Sequence, residues 1–420
     1  MPGAIKGEKV KIHIVKVLSS HAFGKIIEII KKSEYREEVN CSTYKRCGGC
    51  NLRHINYEET LNIKQNTVQN LVNKNLEQNV QVNKTIGMGN PYHYRNKAQY
   101  PLGLDKEGKA KLGIYANRSH EIIEMDNCLI QNPISEEIAK FIFEFIKTNN
   151  ISVYNEKTGK GIFRHIVIKI GIQTNQIMCI LVVNSKNIPK EKELCNKLIE
   201  KFPNIKTIVK NINNKNTNVI LGKENANLYG NGYITDILGD YKFKISPMSF
   251  YQTNPVQTEV LYNIAIEKSN LTGKETVFDL YCGIGTISIF LAKHSKKVYG
   301  IEIVEQAIND AKENARINGV ENVEFYAGDV ESTFDRILRE NDVKPNVICV
   351  DPPRKGLDGT TLKNIIEIKP EKVIYISCNP ATLARDLKEL EKEYDIKEIQ
   401  PVDMFPFTGH VECVAVLCRK

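Results

Sequence analysis

Residues 276–294 read TVFDLYCGIGTISIFLAKH, an apolar run, a Gly-x-Gly turn and a second apolar run with helical character. Strand, glycine turn and helix in that order form the first half of a βαβ unit. Gly283 and Gly285 let a ligand approach the backbone. The third glycine of the dinucleotide fingerprint is missing, so the turn suits a nucleoside cofactor without a pyrophosphate. Downstream the alternation continues: KVYGIEI (297–303) before EQAINDAKENARIN (305–318), then VEFYAGD (323–329), NVICVDPP (346–353), and KVIYISC (372–378) before ATLARDLKELEKE (381–393). This predicts an α/β, Rossmann-like doubly wound parallel sheet. Glu302 ends the second strand, Asp329 the third and Asp351 the fourth. Ligands bind at those carboxyl ends, and Glu302 is placed to accept from both hydroxyls of a ribose.

The chain closes on two strands without a helix between them, IKEIQPVDMF (396–405) and VECVAVLCR (411–419). By fold analogy such a terminal antiparallel hairpin marks methyltransferase-type sheets rather than dehydrogenase ones. DPPRKG (351–356) resembles loops used to methylate exocyclic base nitrogens, but Arg354 stands where those carry a stacking aromatic. Five cysteines fall in this region: Cys282, Cys349, Cys378, Cys413 and Cys418. Cys349 and Cys418 lie within apolar strands and read as core thiols; Cys282 belongs to the glycine turn. Cys378 leaves its strand just before Asn379 and Pro380. Proline is a natural first helical residue, and a thiol at a helix N-terminus is expected to have a lowered pKa. The final strand runs against its neighbour, so Glu412, near its start, is expected beside Cys378 and Asp351. A thiolate and a base select carbon chemistry on a pyrimidine. Carbon 5 of uracil becomes nucleophilic once a thiolate adds at carbon 6, and a base must then remove the carbon 5 proton.

SFYQTNPVQ (249–257), DLYCGIGT (279–286), DPPRKG, ISCNPATLARDL (376–387) and FPFTGHVECV (405–414) together resemble the RNA (uracil-5-)-methyltransferase family, and specifically its iron–sulfur ribosomal RNA branch. The resemblance covers nearly the whole chain. It implies a class I S-adenosylmethionine-dependent methyltransferase domain, with Cys378 as nucleophile and Glu412 as base. It also implies cofactor contacts from Gln252, Tyr281, Thr286, Glu302, Asp329 and Asp351. Gln252 follows from the resemblance alone.

Ahead of the catalytic region, CSTYKRCGGCNLRHINYEE (41–59) brings Cys41, Cys47 and Cys50 close together. Zinc and an iron–sulfur cluster both suit three such thiolates. The family resemblance implies a [4Fe-4S] cluster and names Cys128, in EMDNCLI (124–130), as the fourth ligand. A helix is expected at 57–75, and residues 90–245 read as an α+β region without a catalytic motif. In KVKIHIVKVLSSHAFGKIIEIIKKS (9–33), Lys9, Lys11, His13 and Lys16 alternate with Val10, Ile12, Ile14 and Val17, which is strand periodicity. This basic segment resembles a shortened TRAM domain, an OB-like RNA-binding barrel. The expected organisation is the partial TRAM/OB-like barrel over 1–38, a central α+β domain with the cluster over 39–58 and 90–245, and the catalytic domain over 59–89 and 246–420.

The 420 residues carry 26% charged and 41% hydrophobic side chains and a formal net charge of +8. That excess favours an anionic partner. No apolar run approaches the roughly 20 residues of a spanning helix, and no signal-peptide core opens the chain. Eleven cysteines without disulfide-like spacing point to reduced thiols and metal ligands in a cytoplasmic protein. The expectation is uracil-5 methylation of 23S rRNA, with RNA as partner, no membrane and no obligate protein partner. The rivals are the same chemistry on tRNA and an RNA-binding accessory protein with an inactive methyltransferase fold. The cluster and the TRAM-like segment favour the ribosomal substrate, since the tRNA branch commonly lacks both.

Overall fold

The computed structural model of the protein describes residues 2–420. Its largest sheet has seven strands: β1 (Thr276–Leu280), β2 (Lys297–Glu302), β3 (Val323–Ala327), β4 (Val347–Val350), β5 (Lys372–Ser377), β6 (Tyr394–Val402) and β7 (Glu412–Arg419). Their order is β3-β2-β1-β4-β5-β7-β6, and β7 alone runs against the others. The intervening helices are α1 (Thr286–Ala292), α2 (Glu305–Ile317), α3 (Val330–Asn341), α4 (Gly359–Ile368) and α5 (Pro380–Leu390). With helices on both faces, the central strands are buried on both sides. Phe278, Leu280, Ile348, Val350, Ile374 and Ile376 are all fully buried. This is why those stretches read as near-continuous apolar runs rather than as alternation.

The helix expected at 57–75 spans Tyr57–Asn75, capped by the Asn56 side chain accepting from Glu59 N. It packs on α5 and β6. Val82 and Ile86 then bridge in parallel to Ile399 and Val402, covering the β6 edge of the sheet.

The region 90–245 holds a six-stranded sheet in the order 224–229, 205–212, 177–183, 163–170, 97–104, 110–112, with helices Pro133–Thr148 and Glu191–Lys201. A hairpin, Ile234–Leu238 with Tyr241–Ile245, joins the two sheets. Asp236 accepts from Ile172 N and Gln173 N of the central region, while Lys242 N and Lys244 N donate to Asn318 and Asn314 at α2.

The N-terminal expectation is corrected. Residues 9–31 form one antiparallel hairpin, Lys9–Val17 with Ala22–Lys31, and among the described residues no further strand joins it. Among the described residues these two strands therefore close no TRAM/OB-like barrel over 1–38. The alternation itself is real, and the register shift between Ile14 and Lys16 matches the parity slip that groups Lys16 with Lys9, Lys11 and His13. What alternation cannot supply is a covering layer: Ile12 is 42%, Val17 69% and Ile27 61% exposed. Among the described residues no helix is long and apolar enough to cross a membrane.

Candidate active site

At the carboxyl ends of β1, β2 and β4 lies a cavity of about 630 Å³. Gln252, Tyr281, Glu302, Asp329, Asp351, Cys378 and Glu412 all line it. Of the candidate catalytic and cofactor residues only Thr286 does not. It opens α1, and its hydroxyl pairs with Tyr262 at 3.0 Å.

The glycine turn is shaped for close approach. Tyr281, Gly283 and Gly285 have φ of 71°, 56° and 77°. A β-carbon on Gly285 would meet Phe325 at 2.7 Å, so the helix seats directly on the sheet, whereas one on Gly283 would meet nothing within 4 Å. Glu302 is held by the backbone on both oxygens, accepting from Gly283 N at 3.2 Å and Val304 N at 2.9 Å. Glu302 also lines the cavity. Asp329 also caps α3, accepting from Ser332 N at 2.9 Å, which holds its carboxyl below the usual range. Gln252 is positioned from the central sheet: Asn96 Nδ2 donates to its carbonyl at 2.9 Å, and Asn96 N donates to Thr253 O. Only the tertiary fold brings these segments together.

The reactive end of the cavity gathers Cys378, Asp351, Arg354 and Glu412. Pro380 is the first residue of α5, as expected, and Asn379 caps it by accepting from Ala381 N. The Asn379 amide also donates to Arg354 O at 2.9 Å, tying the 351–356 loop to the start of α5. The expectation of a lowered thiol pKa is overturned. Burial, followed by the charges of Glu412 and Asp351, pushes Cys378 up to about 11, with Arg354 opposing. The helix terminus is outweighed because the sulfur faces two carboxylates in a partly dry pocket. Burial raises Asp351 to about 7. Burial and the neighbouring Asp351 raise Glu412 to about 8. Glu412 lies at the start of β7 because that strand is reversed, which places it opposite the end of β5.

Sequence reasoning missed Phe250, Ile303, Phe405 and His410, which also line the cavity. Phe250 and Ile303 are 67% and 69% exposed, and each stands next to a motif residue. For Ile303, a large apolar side chain directly after Glu302 at a strand end was the available signal.

Cys41, Cys47, Cys50 and Cys128 line a second cavity of about 160 Å³ with Arg95 and Tyr44. Burial pushes Cys50 up to about 12 and raises Cys47 and Cys128, each thiol charge also opposing the others. Among the described residues no group of three or more His, Cys, Asp or Glu side chains is arranged to hold a metal ion. The four thiols share a cavity without forming a single-ion site.

The strand order, the glycine turn and the acid at the end of β2 define a class I S-adenosylmethionine-dependent methyltransferase. The family model described as tRNA (Uracil-5-)-methyltransferase matches residues 56–420. An uncharacterized RNA methyltransferase of Clostridium acetobutylicum is 50% identical over 420 residues, covering 99% of this chain and 91% of the relative. One from Halalkalibacterium halodurans is 47% identical over 422 residues, covering 100% and 92%. The tRNA (uracil-54, C5)-methyltransferase of Pyrococcus abyssi, solved with S-adenosyl-L-homocysteine, aligns with a TM-score of 0.78 at 27% identity, covering 99% of this chain and 94% of that one. The chain belongs to the tRNA (uracil-5-)-methyltransferase family and is an S-adenosylmethionine-dependent RNA methyltransferase.

Proposed function

We propose that the enzyme methylates carbon 5 of a uridine in 23S rRNA through a covalent bond between Cys378 Sγ and carbon 6. The observation that carries this reading is the meeting of Cys378, Glu412 and Asp351 on the cavity that Glu302 also lines. Methylation of nitrogen or oxygen needs no such thiol. Glu302, Tyr281 and Gln252 would hold S-adenosylmethionine, which would supply an electrophilic methyl group there and leave as S-adenosylhomocysteine. Cys378 is half-buried, so its proton leaves to water before the sulfur adds to carbon 6. The carbon 5–carbon 6 electron pair then moves onto the carbonyl at carbon 4, and carbon 5 becomes a nucleophile. Once carbon 5 is methylated, Glu412 accepts its proton. The double bond re-forms and expels the thiolate.

The residues fit a [4Fe-4S] cluster better than zinc. Zinc needs four ligands converging at ~2.3 Å from one ion, whereas thiols spaced around a cavity suit a group with several iron atoms. Cys41, Cys47, Cys50 and Cys128 would hold it. Its role is structural or RNA-positioning, because no step above transfers an electron. Anaerobically purified protein should be brown, and a colourless, zinc-bearing preparation would defeat this reading.

The resemblance of the cysteine pattern to the iron–sulfur ribosomal branch supports 23S rRNA. The likeness to the P. abyssi enzyme supports a second reading, a uridine in tRNA. Mapping 5-methyluridine in both RNA classes from cells with and without the protein decides between them. RNA carrying 5-fluorouracil should trap a covalent adduct with the native enzyme and none with Cys378→Ala. An adduct with Cys378→Ala would move the nucleophile elsewhere, and a native protein that never traps would favour an inactive RNA-binding accessory.

A further inference from the structure

Phe407 is a non-glycine residue in the left-handed region, with φ of 63°, and only 1% exposed. A β-carbon disfavours that conformation, so the surroundings must hold it. Tyr57 and Tyr92 pack on its ring at 5.7 and 5.4 Å, and the cysteine-bearing segment holds its backbone. Its carbonyl accepts from Asn51 N at 3.0 Å and Leu52 N at 2.9 Å, the two residues that follow Cys50. The Arg53 guanidinium lies 4.3 Å above its ring. The ring belongs to a small apolar cluster with Tyr94 and Ile130, against which Cys50 and Cys128 pack. The other side of the same loop is the active site. Phe405 and His410 line the methyl-transfer cavity, and Glu412 begins β7 five residues after Phe407. Further anchors of the loop include Lys64, which donates to Asp403 and to Phe405 O, Tyr57 and Tyr94, whose hydroxyls donate to Asp403 and to Pro406 O, and Asn254 and Gln257, whose amides donate to Met404 O and Asp403 O.

We propose that Phe407 is a positioning residue through which the order of the cysteine-bearing segment 41–53 sets the placement of Glu412. This rests on the reading of Glu412 as the base that removes the carbon 5 proton. When the cysteine segment is ordered, Asn51, Leu52 and Arg53 clamp Phe407 in its disfavoured conformation. When it loosens, Phe407 relaxes and the loop carries Phe405, His410 and Glu412 out of register. Methylation of carbon 5 then outruns proton removal, and the enzyme stalls as the methylated Cys378 adduct.

The test compares Phe407→Ala, Cys50→Ser, their double variant and Glu412→Gln on unmodified uridine RNA with S-adenosylmethionine. Phe407→Ala should lower kcat by ~10–100-fold, as a misplacement of about an ångström does, with KM for S-adenosylmethionine within about twofold. It should also accumulate RNA adduct stable on denaturing gels, as Glu412→Gln does. In the metal-free protein, Cys50 and Cys128 should alkylate several-fold faster in Phe407→Ala than in the wild type. The double variant should be no slower than the worse single one, since both act through one clamp. Wild-type turnover without adduct, or additive losses in the double variant, overturns the proposal. If Glu412→Gln accumulates no adduct while Phe407→Ala loses turnover and alkylates faster, the assignment of Glu412 fails and the clamp stands. Should Phe407→Ala not fold, Arg53→Met keeps the ring and the backbone pairing. It must then show the same adduct and alkylation changes, smaller in size, and unchanged behaviour overturns the proposal equally.

Discussion

At Cys378 three charged groups compete: the carboxylates of Glu412 and Asp351 raise the thiol, and Arg354 lowers it. Arg354 lowers Glu412 in the same way. In the proposed mechanism both groups react as their ionised forms, so turnover should climb through about pH 8, the value to which burial and Asp351 raise Glu412. Replacing Arg354→Gln removes that cation and should displace the pH–rate profile to the alkaline side. A displacement of one unit lowers the rate at pH 7 by roughly tenfold, and a profile left in place would show that Arg354 acts elsewhere. Asp279 obeys the same physics without touching the reaction. It is fully buried, bonded to Ser288 through one oxygen, and burial raises it to about 7. A carboxyl raised in the folded state contributes stability in full below its ordinary value of 3.8, and that contribution fades as pH rises through 7. The ligand-free protein should therefore lose thermal stability between about pH 4 and pH 7. Asp279→Asn, which cannot ionise, should flatten that decline in scanning calorimetry, and an unchanged slope would assign the loss to other groups. The sequence revealed where Cys378 would sit and not the direction of its shift. The pattern displays a helix start, whereas the facing carboxylates arrive from β4 and β7.

At the next scale the site is a property of strand ends. Asn379 joins two of them, capping α5 and donating to the Arg354 carbonyl. Asn379→Ala should cost about 1 kcal/mol of stability, the usual value of a lost cap. The catalytic loss should be larger than that penalty implies, because the DPPR loop is also released. Comparing Tm with kcat separates the two, and a kcat matching the wild type would reduce Asn379 to a cap. The elements from 276 onward were legible because strands buried on both faces leave uninterrupted apolar runs, and the amphipathic helices between them read at their own period. Glu302 and Asp351 were legible because each closes such a run, and Asp329 because it ends the short edge strand Val323–Ala327. Thr286 shows the limit of the motif: its position in the turn is right, yet its hydroxyl faces Tyr262. Phe250 and His410 were not legible because they lie on irregular segments whose direction only the packed structure fixes.

Over the whole molecule, the central sheet aims Gln252 through Asn96, and the hairpin 234–245 fastens that sheet to α2. The N-terminal hairpin differs, because it is tied mainly to its own base. Glu8 receives Arg36 Nη2 at 2.7 Å and the amides of Ile5 and Ser33, which holds its carboxyl down to about 2. The next links to the body come after it, Asn56 N to Tyr35 O at 2.9 Å and Glu37 N to His54 O at 3.0 Å. Alternation in 9–33 made the strands legible but not their isolation, because periodicity records which face is apolar and not what lies against it. The isolation carries a consequence for substrate binding. Lys9, Lys11, Lys16, Lys25, Lys31 and Lys32 supply much of a cationic surface on a chain of net charge +8. A chain beginning at Glu34 should keep S-adenosylmethionine affinity within about twofold and Tm within a few degrees, since Ile5 is the only buried side chain among the described residues removed. Its RNA affinity should fall, and the slope of log K against log salt should shrink by ~0.7–0.9 for every phosphate no longer engaged. Titration of RNA at several salt concentrations measures both quantities. An unchanged slope would remove the hairpin from the RNA path, and loss of cofactor binding would make it part of the catalytic body.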